Sequence, residues 1–193
     1  MAYGGNISGA DDYAWTGTAT TVLFDVGENE VIPSGLTVPS GWGMQLRTRS
    51  GATYYSASYT DFTVNGDLFI NSGIVIASGE AATASPSFVV GQNGTVTSNG
   101  ALSFSYGTVT NNGTIVVAGG SSNSSDGAFI GCVFTNNGTL TIDNGGVLSF
   151  DGGSIVNNGA INGSGVVYAS PETINEYITG NGTIATDTLN FVY

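Results

Sequence analysis

The sequence predicts an all-β protein built as a single-domain parallel β-helix, or β-solenoid. Three observations carry this prediction. A short phrase recurs along the chain, strand-like runs rich in Val, Ile, Thr and Phe separate its copies, and no helical period is visible in the repeated region. A unit that recurs every ~20 residues is typical of solenoids, in which each repeat buries its apolar face on its neighbours.

The clearest copies of the phrase lie near the middle of the chain. Residues 109–115 read Val-Thr-Asn-Asn-Gly-Thr-Ile, and residues 134–140 read Phe-Thr-Asn-Asn-Gly-Thr-Leu. Each contains an Asn-Gly pair, and weaker copies extend the series in both directions. The pairs are Asn65-Gly66, Asn93-Gly94, Asn112-Gly113, Asn137-Gly138, Asn158-Gly159 and Asn181-Gly182, so the numbers of successive asparagines differ by 28, 19, 25, 21 and 23. We therefore expect coils of about 19–28 residues with an Asn-Gly pair at one corner of each, a length within the range of known solenoid repeats.

Two properties of the Asn-Gly pair suit it to a corner. Glycine and asparagine adopt the left-handed backbone conformation more readily than other residues, so we expect that conformation at these positions. Asparagines stacked at equivalent corners can also hydrogen-bond along the column. An antiparallel β-sandwich is the alternative, since Asn-Gly between strands is equally a hairpin signal. The regular long step and the shortness of the strands favour the solenoid.

The chain is predicted to have three parts. Residues 1–22, rich in Gly, Ala and Thr, form an N-terminal arm or cap, and residues 23–168 form the solenoid body. Residues 169–193 form a C-terminal cap with a short helix and a final coil. The helix is expected within 170–178, where Pro171 suits the first helical position.

The charge balance is strongly one-sided. There are fourteen acidic residues against two arginines, no lysine and no histidine, for a net charge of −12. Nucleic-acid binding, which depends on basic side chains, is not expected. Membrane insertion is not expected either, because no apolar run approaches the ~20 residues of a membrane-spanning helix. The start of the chain lacks a signal-peptide pattern, so either a leader is absent from this sequence or another route is used.

Residues for catalysis are scarce. Without histidine, a Ser-His-Asp triad is impossible, and with Cys132 as the sole cysteine no zinc site can form. We expect Cys132 to be a buried small hydrophobe. Carboxylate pairs at Asp143 and Asp151, or Asp126 and Asp151, lie in ordinary turn contexts, so no catalytic residue is predicted. No cofactor is expected, with calcium at Asp143 and Asp151 as the one metal considered.

Glycan binding is the remaining site hypothesis. Trp42, Tyr54, Tyr55 and Tyr59 fall in one region, and aromatic faces can stack on sugar rings. The same residues could equally pack an N-terminal cap or a subunit interface.

Around residues 110–115 and 135–140 the chain resembles the β-helical passenger regions of bacterial autotransporter-type adhesins. It is also similar to β-helical fibre and spike proteins of bacteriophages. The resemblance implies the fold and a structural or adhesive role, and it carries over no catalytic or binding residue.

The resulting functional hypothesis is a non-enzymatic structural protein in the virion or at the cell surface. It self-associates as a homo-oligomer or polymer, or joins other virion or cell-surface proteins. The small size and arm-like start favour a phage fibre or decoration protein. Alternatives are a bacterial surface adhesin or filament subunit, and a carbohydrate-binding or carbohydrate-active β-helix protein. An ice-binding solenoid is hinted at by the pairs Thr95/Thr97, Thr108/Thr110 and Thr139/Thr141, but the uneven coil lengths argue against it.

Overall fold

A computed structural model describes most of the repeated region. The described residues are 2–3, 21–26, 35–48, 55–57, 61–70, 74–78, 87–98, 102–105, 107–118, 127–143, 146–169 and 178–191. Every strand pairing among them is parallel, and none of them is helical. The predicted parallel β-solenoid is therefore confirmed, and the antiparallel sandwich is wrong.

The strands stack into three faces, and a coil through the middle of the chain contributes one strand to each. The first face contains β1 (Ala2–Tyr3), β2 (Thr21–Val26), β4 (Gly43–Thr48), β7 (Asp67–Ile70), β10 (Thr95–Ser98), β13 (Thr114–Val117) and β16 (Thr139–Ile142). The second contains β5 (Tyr55–Ala57), β8 (Ile74–Ser78), β11 (Leu102–Ser105), β14 (Gly127–Ile130) and β17 (Val147–Asp151). The third contains β3 (Leu36–Val38), β6 (Phe62–Val64), β9 (Ser87–Val90), β12 (Thr108–Asn111), β15 (Val133–Asn136), β18 (Ser154–Asn157) and β20 (Ile178–Thr179).

Two longer strands, β19 (Ala160–Ala169) and β21 (Thr183–Phe191), pass from the first face to the second. β19 pairs with β16 through its first four residues and with β17 through its last four. Its register against β21 shifts between Gly163 and Val166, which marks the corner between the two faces. The first two faces therefore form one 14-stranded sheet, and the third face is a separate seven-stranded sheet.

The register of the first face is unbroken across the coils of different length. Thr95 lies between Asp67 and Thr114, and Thr114 pairs in turn with Thr139. The numbers of these partners differ by 28, 19 and 25 from one coil to the next, so the extra residues fall outside the strands. The unequal coil lengths consequently leave the stacking of this face regular.

The core lies between the three faces and follows from the alternation of each strand. In β13 the side chains of Ile115 and Val117 are buried, while Thr114 and Val116 are half-buried on the outer side. Strands alternate in this way because successive side chains point to opposite faces. Aromatic rings fill the space between the second and third faces: Phe88 lies 5.5 Å from Phe62 and 4.9 Å from Phe104, measured between ring centroids.

The predicted terminal parts fall largely outside the described residues. Ala2 and Tyr3 pair with β2, and residues 4–20 are not among those described. Of the predicted helix, residues 170–177 lie outside the described residues, and Ile178 is the first residue of β20. Within the part that the structure describes, no helix is long and apolar enough to span a membrane.

Candidate functional site

A ladder of buried asparagines runs through the interior beside the corner of the third face. Asn111, Asn136 and Asn157 end three successive strands of that face and are all buried. Asn111 Nδ2 donates to Asn136 Oδ1 at 2.8 Å, and Asn136 Nδ2 donates to Asn157 Oδ1 at 2.8 Å. In the coils before them the same column holds Val38, Val64 and Val90.

The Nδ2 group of each inner asparagine also donates to a backbone carbonyl of the next coil. The Nδ2 groups of Asn111, Asn136 and Asn157 donate to the carbonyl oxygens of Thr139, Ala160 and Thr183, at 2.9, 3.1 and 3.0 Å. Because burying an unpaired amide costs free energy, this pairing is what allows carboxamides in an apolar interior. The inner ladder also ties each of these coils to the next through its corner.

A second ladder runs along the outside of the same corner, one residue further along the chain. Asn137 Nδ2 donates to Asn112 Oδ1, and Asn158 Nδ2 donates to Asn137 Oδ1, both at 2.9 Å. Asn137 and Asn158 are exposed, so these bonds compete with water. The predicted stacking of corner asparagines is confirmed at these three corners.

The predicted left-handed conformation at the corner glycines is wrong. None of Gly66, Gly94, Gly113, Gly138, Gly159 and Gly182 has a positive φ. Glycine is needed for space instead, because a Cβ at Gly138 would overlap the carbonyl oxygen of Gly113, and a Cβ at Gly159 would overlap that of Gly138. The backbone of each corner rests directly on the corner of the coil before it. Thr139 N donates to Gly113 O, and Ala160 N to Gly138 O, both at 2.9 Å.

The predicted glycan residues are only partly described. Trp42 lies at the corner between β3 and β4, on the connection from the third face to the first, and is half-exposed. Tyr55 begins β5 on the second face, while Tyr54 and Tyr59 lie outside the described residues. The aromatic glycan site therefore stays a prediction.

The two carboxylates considered for calcium are separated by a strand. Asp143 follows β16 and Asp151 ends β17, and both side chains are exposed. Apart from Asp151 itself, the whole of β17 lies between them along the chain. No group of three Asp, Glu, His or Cys residues among the described ones is placed to hold a metal ion. Asp126, the other acid considered, lies outside the described residues.

Cys132 lies in the core at the corner that precedes β15. Its side chain is 3% exposed, as the sequence predicted. Burial raises the pKa of its thiol from 9.0 to about 12, because the desolvated thiolate is disfavoured. A thiol in this state is a poor nucleophile at neutral pH.

The outward side of the first face carries two columns rich in threonine. One contains Thr95, Thr114 and Thr139, and the other contains Thr97, Val116 and Thr141. The pair Thr108/Thr110 belongs to the third face, so the threonine pairs of the sequence do not form one surface. The outward positions of β10, β13 and β16 carry no charged residue.

The coil that contains β21 leaves one column of the core uncovered. Ile184 continues the column formed by five residues on the inner side of the first face, each no more than 2% exposed: Leu68, Val96, Ile115, Leu140 and Ile161. Ile184 itself is 43% exposed. Among the described strands, β21 pairs with β19 alone, so its other edge faces no described strand. An edge of this kind is a template for pairing with another strand.

Two of these features were missed from the sequence. The inner asparagines precede the predicted corners by one residue. The alternation of inward and outward side chains along β12 could have predicted their burial, because it places Val109 and Asn111 on the same inward side. The exposure of Ile184 has no sequence signal, because the phrase around it matches those of the buried coils.

Comparison with known proteins identifies no relative, so a proposal about function has to start from the fold and the features described above. No family model, no curated protein and no solved structure significantly matches the chain.

Proposed function

We propose that this protein is a non-enzymatic structural component whose rigid solenoid self-associates or joins a larger assembly. The observation that carries the proposal is the exposed Ile184 at the end of a column whose other members are buried. Covering an aliphatic side chain of this size removes apolar surface from water and is favourable. The edge of β21 that faces no described strand would add backbone hydrogen-bonding groups to the same surface.

The partner to which the proposal commits is a second copy of this chain. A coil of another copy can continue the stack, because each coil of a solenoid contacts only its neighbours. The outward threonines and valine of β10, β13 and β16 give this part of the first face an uncharged surface, and the charge of −12 keeps the particle soluble.

The test is the mass of the full chain in solution, measured by light scattering across a concentration series. We expect a mass at least twice that of the 19.5 kDa chain. An Ile184→Asp variant should have the mass of a single chain, because the contact would then bury a carboxylate. A matched control is Val133→Asp. Val133 is also β-branched and is 44% exposed, but lies on the outer side of the third face.

The light-scattering results distinguish self-association through the β21 coil from the alternatives. A wild-type chain that stays monomeric at all concentrations contradicts self-association. Equal loss of mass in both variants contradicts the assignment to the β21 coil and moves the contact to the sides of the solenoid. Circular dichroism of each variant shows whether the β-structure is retained.

Within this class we propose a virion component, such as a fibre or decoration protein, located on the particle. A bacterial surface adhesin or filament subunit is the second candidate, since a low-charge surface of Thr, Ser and Asn suits either location. Mass spectrometry of purified phage particles and of washed cell-surface fractions distinguishes them. Presence in the cell-surface fraction alone contradicts the virion assignment.

The ligand hypotheses can be tested on the same sample. Light scattering with calcium and with a chelator tests the acids at Asp143 and Asp151, and Asp151→Asn should abolish any calcium effect. A glycan array tests the aromatic residues, with Trp42→Ala as the variant. Binding or cleavage of a glycan would favour the carbohydrate-binding or carbohydrate-active alternative over the structural one.

A further inference from the structure

Four of the six Asn-Gly corners have an exposed asparagine, and these four form two groups that differ in how their carboxamides are held. Asn137 and Asn158 belong to the outer ladder: Asn137 donates one hydrogen bond and accepts another, and Asn158 donates one. The side chains of Asn93 and Asn181 have no hydrogen-bond partner among the described residues. All four asparagines are exposed and all four precede glycine.

Asparagine followed by glycine is chemically labile in water. The backbone nitrogen of the glycine attacks Cγ of the asparagine, the bond from Cγ to the amide nitrogen breaks, and ammonia leaves with the proton of the glycine N–H. A five-membered succinimide remains. Water then adds to one of its two carbonyl carbons and opens the ring to aspartate or isoaspartate. The balance is one water consumed and one ammonia released, with no change in oxidation state.

We infer that Asn93 and Asn181 are sites of spontaneous hydrolytic deamidation, and that the outer ladder protects Asn137 and Asn158 from the same reaction. To react, the carboxamide must rotate until Cγ meets the glycine nitrogen. At Asn137 this rotation breaks two ladder bonds, whereas at Asn93 and Asn181 it breaks none among the described residues.

The other determinants of the reaction are closely matched in the two groups. The attacking nitrogens are all hydrogen-bonded: Gly94 N to Gly91 O and Gly182 N to Asn157 O at 2.8 Å, Gly159 N to Asn136 O at 2.9 Å, and Gly138 N to Asn111 O at 3.0 Å. All four asparagine side chains are exposed, so the access of water to them does not distinguish the two groups. The ladder distinguishes the two groups, whereas these two determinants do not.

The experiment is to age the folded protein in mildly alkaline buffer and follow each site by peptide mass spectrometry. Conversion of an amide to an acid gives a fixed mass increase, and fragmentation distinguishes isoaspartate from aspartate. We expect Asn93 and Asn181 to react about threefold faster than Asn137 and Asn158, because local opening of a hydrogen-bonded site costs free energy. Isoelectric focusing should show the same time course, since each event adds one negative charge.

Two controls keep the inference falsifiable. In urea the four sites should react at similar rates, so the ratio of unfolded to folded rates at each site measures protection directly. The double variant Asn112→Ser and Asn158→Ser frees Asn137 on both sides and should bring its folded-state rate close to that of Asn93. Equal rates at the four sites in the folded wild type, whether all fast or all slow, would overturn the inference.

Discussion

At the scale of single residues, the same amino acid performs two different tasks at adjacent positions. Asn136 is buried and hydrogen-bonds to Asn111 and Asn157 in the interior. Asn137 is exposed, so water competes for its hydrogen bond to Asn112. A net hydrogen bond at an exposed site contributes little, whereas removing one partner of a buried set leaves the others unsatisfied. The inner ladder should therefore matter far more for stability than the outer one.

This difference can be measured with a pair of neighbouring substitutions. Asn136→Val places in the interior the residue that the same column carries at Val64 and Val90, so the volume is tolerated. It removes the acceptor of one amide hydrogen of Asn111 and the donor to Oδ1 of Asn157, and we expect the free energy of unfolding to fall by about 2–4 kcal/mol. Asn137→Val is the control and should cost less than about 1 kcal/mol. Urea denaturation measures both free energies of unfolding, and equal losses in the two variants would contradict the greater importance of the inner ladder.

At the scale of the coil, the sequence predicted the spacing of the corners but not the contacts between neighbouring coils. The Asn-Gly marker located the corner between the third and first faces, because the phrase around it recurs in each coil. It also suggested stacked asparagines, which the structure has. The backbone conformation was predicted wrongly at glycines such as Gly138, because propensity describes one residue alone. The need for glycine arises from the neighbouring coil, whose carbonyl oxygen occupies the space of a side chain.

The crowding at the corner predicts a specific pattern of substitutions. Gly138→Ala should lower the free energy of unfolding by about 2–3 kcal/mol, because the added methyl forces two coils apart. Gly35 offers the contrast, since its φ is +84° and no atom would lie within 4 Å of a Cβ at that position. Gly35→Asn should cost only about 1 kcal/mol, because asparagine is among the side chains least strained at positive φ, whereas Gly138→Asn should be as damaging as alanine. Thermal unfolding of these variants provides the measurement, and tolerance of Gly138→Asn would argue against steric crowding.

At the scale of the whole molecule, the stack is held by contacts between successive coils. Phe88 packs against the ring of Phe62 from the preceding strand of its face, and the inner ladder joins three further coils at the corner. In repeat proteins of this kind, stability is approximately a sum of coil and interface terms. A group buried in a middle coil should therefore become accessible when its neighbours separate, and Cys132 is such a group.

Cys132 thus reports on opening of the stack. Its raised pKa leaves roughly a thousandfold less thiolate near neutral pH than a free thiol has. Alkylation should be slow in the folded protein and fast in urea. Variants that weaken neighbouring coils, such as Gly138→Ala, should speed it, and fast labelling of the folded wild type would contradict the burial of the thiol.

The same thiol makes stability depend on alkaline pH. The pKa is higher in the folded state, so the folded chain holds the proton where the unfolded chain has lost it. The contribution to stability is therefore complete below the ordinary thiol pKa of 9.0 and declines as the pH rises toward about 12. We expect the free energy of unfolding, measured in urea, to fall across this range more steeply in wild type than in Cys132→Ala. The nine tyrosines are common to both proteins, so the difference between the two slopes isolates the thiol. Identical slopes would show that Cys132 ionises as freely in the folded chain as in the unfolded one.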